Sequence, residues 1–132
     1  MHRKHNHRGL IVFLKESEGS TVAEFALILP ILIALVFGAI NMSLLLYTES
    51  TLHFATQDAA RCATVKTTIC TSQSTLQSYA AKNYGGMTAA PTFVWTTPSC
   101  GNLVTATASY KFILGIASLP MTLNASACYP LA

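Results

Sequence analysis

Glu24 is the residue of this sequence whose chemistry its neighbours least explain. It directly precedes 22 residues, Phe25 to Leu46, without a single charge. A carboxylate beside a bilayer is costly, by about 2.5–3.5 kcal/mol at the centre of a membrane helix and less near its end. The partial positive charge of a helix amino end offsets some of that cost. A cation within reach would offset more, and Gly19 offers one. A protease cutting after Gly19 would free an α-amino group on Ser20, whose ordinary pKa of about 7.7–8.0 keeps it largely charged at neutral pH. That cation would lie one helical turn from Glu24 or on a neighbouring subunit. Glycine suits such a cut because its backbone enters a protease unhindered. Ordinary signal-peptidase processing has no comparable site, since the far end of the apolar run, Ser43-Leu-Leu-Leu-Tyr47, lacks an Ala-x-Ala pattern. The plainer alternative makes Glu24 a first-turn carboxylate in the headgroup region.

The other reactive side chains are few. Cys62, Cys70, Cys100 and Cys128 all follow the apolar run. An even count in a small exported head predicts two disulfides, formed in an oxidising compartment. Three connectivities exist, and proximity in sequence favours Cys62–Cys70 with Cys100–Cys128. Zinc is disfavoured, because there is no Cys-x-x-Cys pair and His53 is the one histidine in this part. His2, His5 and His7 stand among Arg3, Lys4 and Arg8 and read as a solvated tail. A catalytic set is equally hard to assemble. The acids beyond the run are Glu49 and Asp58, and a nucleophilic His53–Cys62 pair would need a free thiol. The expectation is a protein that is not an enzyme, with no cofactor and no metal.

The elements that must position these residues follow from hydropathy. Of 132 residues, 52% are hydrophobic and 10% charged, too apolar for an ordinary soluble domain. A helix over Phe25–Leu46 would reach about 33 Å, enough for a hydrocarbon core of about 30 Å. Residues 1–19 carry four basic and two acidic side chains, 4 − 2 = +2, against 4 − 3 = +1 for the remainder. Positive charge stays on the cytoplasmic side, so the carboxyl-terminal part is expected outside. This distribution points to a lipid bilayer as partner and away from nucleic acid. Ser20 or Thr21 is a good helix cap. Between Tyr47 and Lys66 the pattern turns amphipathic, with Leu52, Ala55, Ala59 and Cys62 on a narrow small-residue stripe. A short helix is expected over Ser74–Lys82, then a break at Asn83-Tyr-Gly-Gly86 and strands at Thr92–Thr97, Leu103–Phe112 and Met121–Cys128. The fold class is α+β: a long amino-terminal transmembrane and stalk helix, then a small antiparallel sheet. Its divisions are a basic cytoplasmic leader (1–19), the span and stalk (20–66) and an extracytoplasmic head (67–132). Within the span, Pro30 removes a backbone donor and is expected to kink or loosen the helix. Asn41 could hydrogen-bond across to another helix.

The string Gly19-Ser-Thr-Val-Ala-Glu-Phe-Ala-Leu-Ile-Leu-Pro30 resembles the processing site of type IV pilins and, more closely, the TadE-like proteins of tight-adherence (Flp) pilus systems. Ala59-Ala-Arg-Cys-Ala63 is similar to that family's Ala-Ala-Arg-rich stalk. The resemblance covers roughly Gly19 to Val65. It implies a pilin-like fold and a minor pseudopilin, cut between Gly19 and Ser20 by a prepilin peptidase. It places the protein in a bacterial inner membrane as a single-pass chain, amino terminus cytoplasmic and head periplasmic, with passage into a pilus as an option. The implied partners are that peptidase, other pilin or pseudopilin subunits and an inner-membrane assembly platform. Glu24, with Phe25, Pro30 and Asn41 along the same helix, would then serve subunit assembly. The chain departs from the pattern at Glu18, where a basic residue often stands. The competing reading is an uncleaved single-pass anchor carrying a binding domain unrelated to pili.

Overall fold

The computed structural model of the chain describes residues 18–114 and 117–131; the histidine-containing tail and most of the expected leader lie outside them. Two units are distinguished, Met1–Ala39 and Ile40–Ala132. Helix α1 runs unbroken over Glu18–Val65, with Pro30 inside it. The helix already includes the residues expected to cap it, Ser20 and Thr21. In the first unit its residues from Thr21 to Phe37 are all exposed, so no protein surface there covers the apolar side chains.

The second unit is an α+β, pilin-like head built on the last five turns of α1. Here the helix becomes one-sided. Thr48, Leu52, Ala55, Thr56, Ala59, Ala60, Cys62 and Ala63 are buried, while Ser50, His53, Phe54, Gln57 and Arg61 face outward. Thr48 and Thr56 sit fully buried on the inner face. Each hydroxyl donates to the carbonyl four residues earlier, Leu44 at 2.8 Å and Leu52 at 2.6 Å, so burial leaves no donor unpaired. Helix α2 covers Gln73–Asn83, one residue longer at each end than expected. Its cap is a reciprocal pair: Thr75 N–H donates to the Ser72 hydroxyl, and Ser72 N–H donates to Thr75 Oγ1 at 2.9 Å.

Strands β1 (Thr92–Thr96), β2 (Asn102–Leu114) and β3 (Ala117–Tyr129) form an antiparallel meander in that order. Trp95 pairs with Val104, and Asn102 through Leu114 pair with Tyr129 through Ala117. The alternation read in β2 holds: Val104, Ala106, Ala108 and Tyr110 are buried, and Thr105, Thr107 and Ser109 are exposed. The strand β3 begins four residues before the expected Met121. Pro120 sits inside it, opposite Lys111. A proline is tolerated there because β3 is an edge strand, where a missing donor need not break the ladder.

The opposite edge is closed by side chains. Gln73 and Gln77, four residues apart on one face of α2, bond the backbone of β1 as a strand would. Gln77 Oε1 accepts from Phe93 N–H at 2.7 Å and its Nε2 donates to the Pro91 carbonyl at 2.8 Å. Gln73 Oε1 accepts from Trp95 N–H at 2.9 Å, and its Nε2 donates to the Phe93 carbonyl. Four groups that would otherwise form an adhesive edge are thereby satisfied.

Both disulfides join the pairs that proximity favoured. Cys62–Cys70 ties the end of α1 to the approach to α2 and is buried, whereas Cys100–Cys128 is exposed and ties the β1–β2 turn to the end of β3. With separations of 8 and 28 residues, loop-closure entropy assigns them about 2.5 and about 3.5 kcal/mol. Gly101 occupies the same turn with φ +123°, and a Cβ there would lie 2.2 Å from the Tyr129 carbonyl oxygen. Replacing Gly101 with alanine is expected to lower head stability by at least about 2 kcal/mol, measured by denaturant unfolding followed through Trp95 fluorescence; an unchanged midpoint would show that the turn relaxes freely. A mild reductant is expected to open Cys100–Cys128 before Cys62–Cys70. Alkylation and mass mapping would show the order, and simultaneous or reversed opening would contradict it.

Candidate functional site

The apolar half of α1 carries the residues that the sequence singled out. Gly19 and Ser20 lie within it. Glu24 is exposed, and no ion pair among the described residues engages it. Phe25, the next residue, is 62% exposed, and Val22, Ile28, Ile31 and Leu35 complete an apolar surface around the carboxylate. Pro30 lies six residues beyond Glu24 within a helix that continues past it. Asn41 belongs to the second unit, is partly buried and already has a partner within the chain. Glu24, Phe25 and Pro30 therefore share one exposed helical segment, and Asn41 stands apart from them. Physically, the segment is a hydrophobic rod with one negative charge near its start. The helix from Thr21 is long and apolar enough to cross a membrane, and no residue of its apolar window is buried by the protein.

The head shows what holds the stalk in place. Asp58 accepts at the same oxygen from the Tyr79 hydroxyl, at 2.7 Å, and from Asn83 Nδ2, at 3.0 Å. Tyr79 in turn accepts from Lys66 Nζ at 2.8 Å, with the ammonium 5.2 Å from the ring centre. That hydrogen bond from Lys66 to Tyr79 raises the lysine above its ordinary value of 10.5. A raised lysine value favours the folded state below the unfolded pKa and loses the benefit as pH rises through the folded one, so the contact is complete at neutral pH. Full solvent exposure makes it a clip and not a source of large stability. Asn102 forms a second bridge. Buried in the core, it accepts from Trp95 Nε1 at 3.0 Å and donates to Thr64 Oγ1 at 2.9 Å, linking β1, β2 and the end of α1. Sequence reasoning singled out no role for Asn102, Tyr79 or Lys66, and weighed Asp58 only as a candidate acid. Their partners lie 7 to 38 residues away along the chain, a distance no local pattern reports.

Beside the carboxyl end of β3 an open cleft of about 520 Å³ is lined by Phe54, Asp58, Arg61 and Ser126 to Tyr129. Its chemistry is limited. The Asp58 carboxylate is already engaged and Cys128 is in a disulfide. The nucleophilic pair considered for His53 and Cys62 is ruled out, because Cys62 is bonded to Cys70. Among the described residues no cluster of three or more histidine, cysteine or acidic side chains is placed to hold a metal.

Comparison with known proteins reaches helix α1 and leaves α2 and the sheet unmatched. Residues 19–61, about a third of the chain, match the family model described as TadE-like protein. No match was found among curated proteins or among solved structures. The matched family is associated with tight-adherence pilus biogenesis. Over the segment that holds the Gly19 junction, Glu24, Pro30, Asn41 and the start of the stalk, this chain is similar to the TadE-like proteins.

Proposed function

We propose that the protein is a minor pseudopilin: a structural component for assembling a tight-adherence pilus or a related secretion apparatus, processed after Gly19 and held by one span in a bacterial inner membrane. The observation that carries this reading is the family match across a helix exposed on every side from Thr21 to Phe37, with Glu24 its sole charge. A helix of this kind has two environments that satisfy it, lipid and other apolar helices. Inserted as a span, it has lipid around it. During assembly, neighbouring helices replace lipid. Glu24 then gives the exchange a register, because a buried carboxylate requires a specific cation, and the α-amino group of a processed Ser20 on an adjacent subunit supplies it.

Processing has a structural requirement. The Gly19–Ser20 bond lies within α1, and a protease needs extended backbone, so cleavage carries the cost of opening the helix locally. Glycine before the cut lowers that cost, since it is among the poorest residues at holding a helix. Prepilin peptidase, other pilin or pseudopilin subunits and an inner-membrane platform are the partners this role calls for. The paired cysteines agree with a head outside the cytosol.

The first test is the mature amino terminus. Co-expression with the cognate prepilin peptidase is expected to yield an intact mass beginning at Ser20. A mass that always includes residues 1–19 would leave the uncleaved membrane anchor as the correct reading. The second is Glu24→Gln. Loss of a charge-assisted hydrogen bond, about 1.5–3 kcal/mol, is expected to weaken subunit association roughly ten- to hundredfold while cleavage continues. Association measured by co-purification from membranes and found unchanged would remove Glu24 from assembly.

A further inference from the structure

The two edges of the sheet are finished differently, and the hydrogen bonds of one edge define the other. Gln73 and Gln77 engage the N–H groups of Phe93 and Trp95 and the carbonyls of Pro91 and Phe93. Phe93 and Trp95 therefore turn their backbone groups away from β2. In an antiparallel ladder that direction alternates from residue to residue, and directly paired residues face each other or face apart. Val94 pairs with Thr105, and Val104 with Ala127, with no shift along either ladder. The alternation thus carries across the sheet. Thr105 faces β1, Val104 and Ala106 face β3, and Ala125 and Ala127 face β2. Thr122, Asn124, Ser126 and Cys128 are left with their N–H and carbonyl groups pointing out of the sheet. Among the described residues no hydrogen bond reaches these groups. Pro120 falls on the same alternation, which is why its missing donor leaves the ladder intact.

This edge lacks the devices that usually blunt one. From Met121 to Tyr129 there is no charge, no proline and no bulge, and Pro120 and Pro130 bound the stretch. Its last residues, Ser126 to Tyr129, form one side of the cleft of about 520 Å³, and Phe54, Gln57 and Arg61 of α1 form the other. Phe54 is 65% exposed. On the inward face of β3 the residues here are Ala125 and Ala127, whose small side chains leave room beside the strand. Arg61 is exposed, and no ion pair or hydrogen bond among the described residues engages it. Asp58, three residues before it, is held by Tyr79 and Asn83. Beyond Asp58 the chain carries Arg61, Lys66, Lys82 and Lys111 and no acidic residue at all.

We propose that the outer edge of β3, with the cleft beside it, is the docking site for an extended acidic segment of a second protein. The segment adds a strand to the three-stranded sheet. Main-chain hydrogen bonds to Thr122, Asn124, Ser126 and Cys128 hold it in place. Its side chains on one face turn toward α1, where an apolar group covers Phe54 and a carboxylate meets Arg61. Charge selects this occupant over a second copy of the chain. None of the three strands bears an acidic residue, so a strand from a second copy has no carboxylate for Arg61 and brings like charges together. Because the glutamines close the β1 edge, the sheet grows on one side only and the head accepts a single such segment. The site is independent of cleavage after Gly19 and of the surroundings of Glu24, so it goes beyond the assembly role proposed for the helix.

Short random peptides displayed on phage, selected against the full chain in nonionic detergent, test this. The selected peptides are expected to be rich in Asp and Glu, and their synthetic versions to bind more weakly as salt is raised. Arg61→Glu and Asn124→Pro are each expected to weaken that binding roughly ten- to hundredfold. The second removes one outward donor and spares the ladder with β2, as Pro120 does. Lys82→Glu, on α2 and outside the cleft, is expected to change binding by less than about twofold. Methylating alternate amides of the peptide reads the same contact without altering the protein: one set is expected to abolish binding and the other to leave it. Peptides without acidic enrichment, or indifferent to Arg61→Glu, would overturn the acidic partner. Binding indifferent to which amides are methylated would overturn strand addition, and a selection that yields no binder would overturn the site. A dimer of the full chain by light scattering, lost in Asn124→Pro, would make a second copy the occupant and overturn this choice of partner.

Discussion

A stripe of small residues on α1, buried in one core with the inner face of the sheet, is the contact on which the head depends. Ala55, Ala59, Ala60 and Ala63 share that core with Ala106, Ala108 and Ala125. The larger residues, Leu52, Leu76, Phe93 and Val104, then fill the remaining space at about 1.5–3 kcal/mol each. A core made so largely of alanine buries little apolar area per residue, and a domain of this size has little to spare. The two disulfides compensate by restricting the unfolded chain. They stand where the small core is least able to hold the structure, at the end of α1 and at the open end of the sheet.

Within that frame the polar side chains complete what packing leaves unfinished. The α2 helix uses two glutamines to close the β1 edge, so the shortest strand presents no free ladder on that side. Asn102 supplies a directional link where the helix ends and alanine packing gives no register. The chain Lys66–Tyr79–Asp58 holds α2 to the stalk from the solvent side. These contacts are modest singly. Their value lies in direction, since apolar contact between smooth surfaces permits sliding.

The same helix answers to two different rules along its length. From Thr48 onward it is amphipathic and the head covers its inner face. From Thr21 to Phe37 its apolar side chains are exposed on every side. One continuous element thus passes from a medium that demands a covered stripe to one that accepts apolar surface everywhere. Glu24 is the exception in the second part, and a charge in that setting is retained only where a specific partner meets it. This is the physical reason why the proposed assembly role falls on the helix and not on the cleft of the head.

The sequence by itself determined the features that follow from local composition. The apolar run, the amphipathic turn after Tyr47, the short helix before Asn83 and the alternation in β2 all express period or hydropathy. Those were legible with boundaries within a few residues, save for β3, where Pro120 concealed the strand's start. Gly19 and Glu24 stand out in the sequence because their spacing before an apolar run is itself a pattern. Proximity in sequence had favoured the cysteine pairs that form, whereas the tertiary structure alone decided that the glutamines of α2 serve as an edge and that Asn102 joins three elements. The tertiary structure also decided that the apolar residues near Ile113 and Leu119 fall outside the core. Each of these depends on which distant segments come together, and local periodicity carries no information about that.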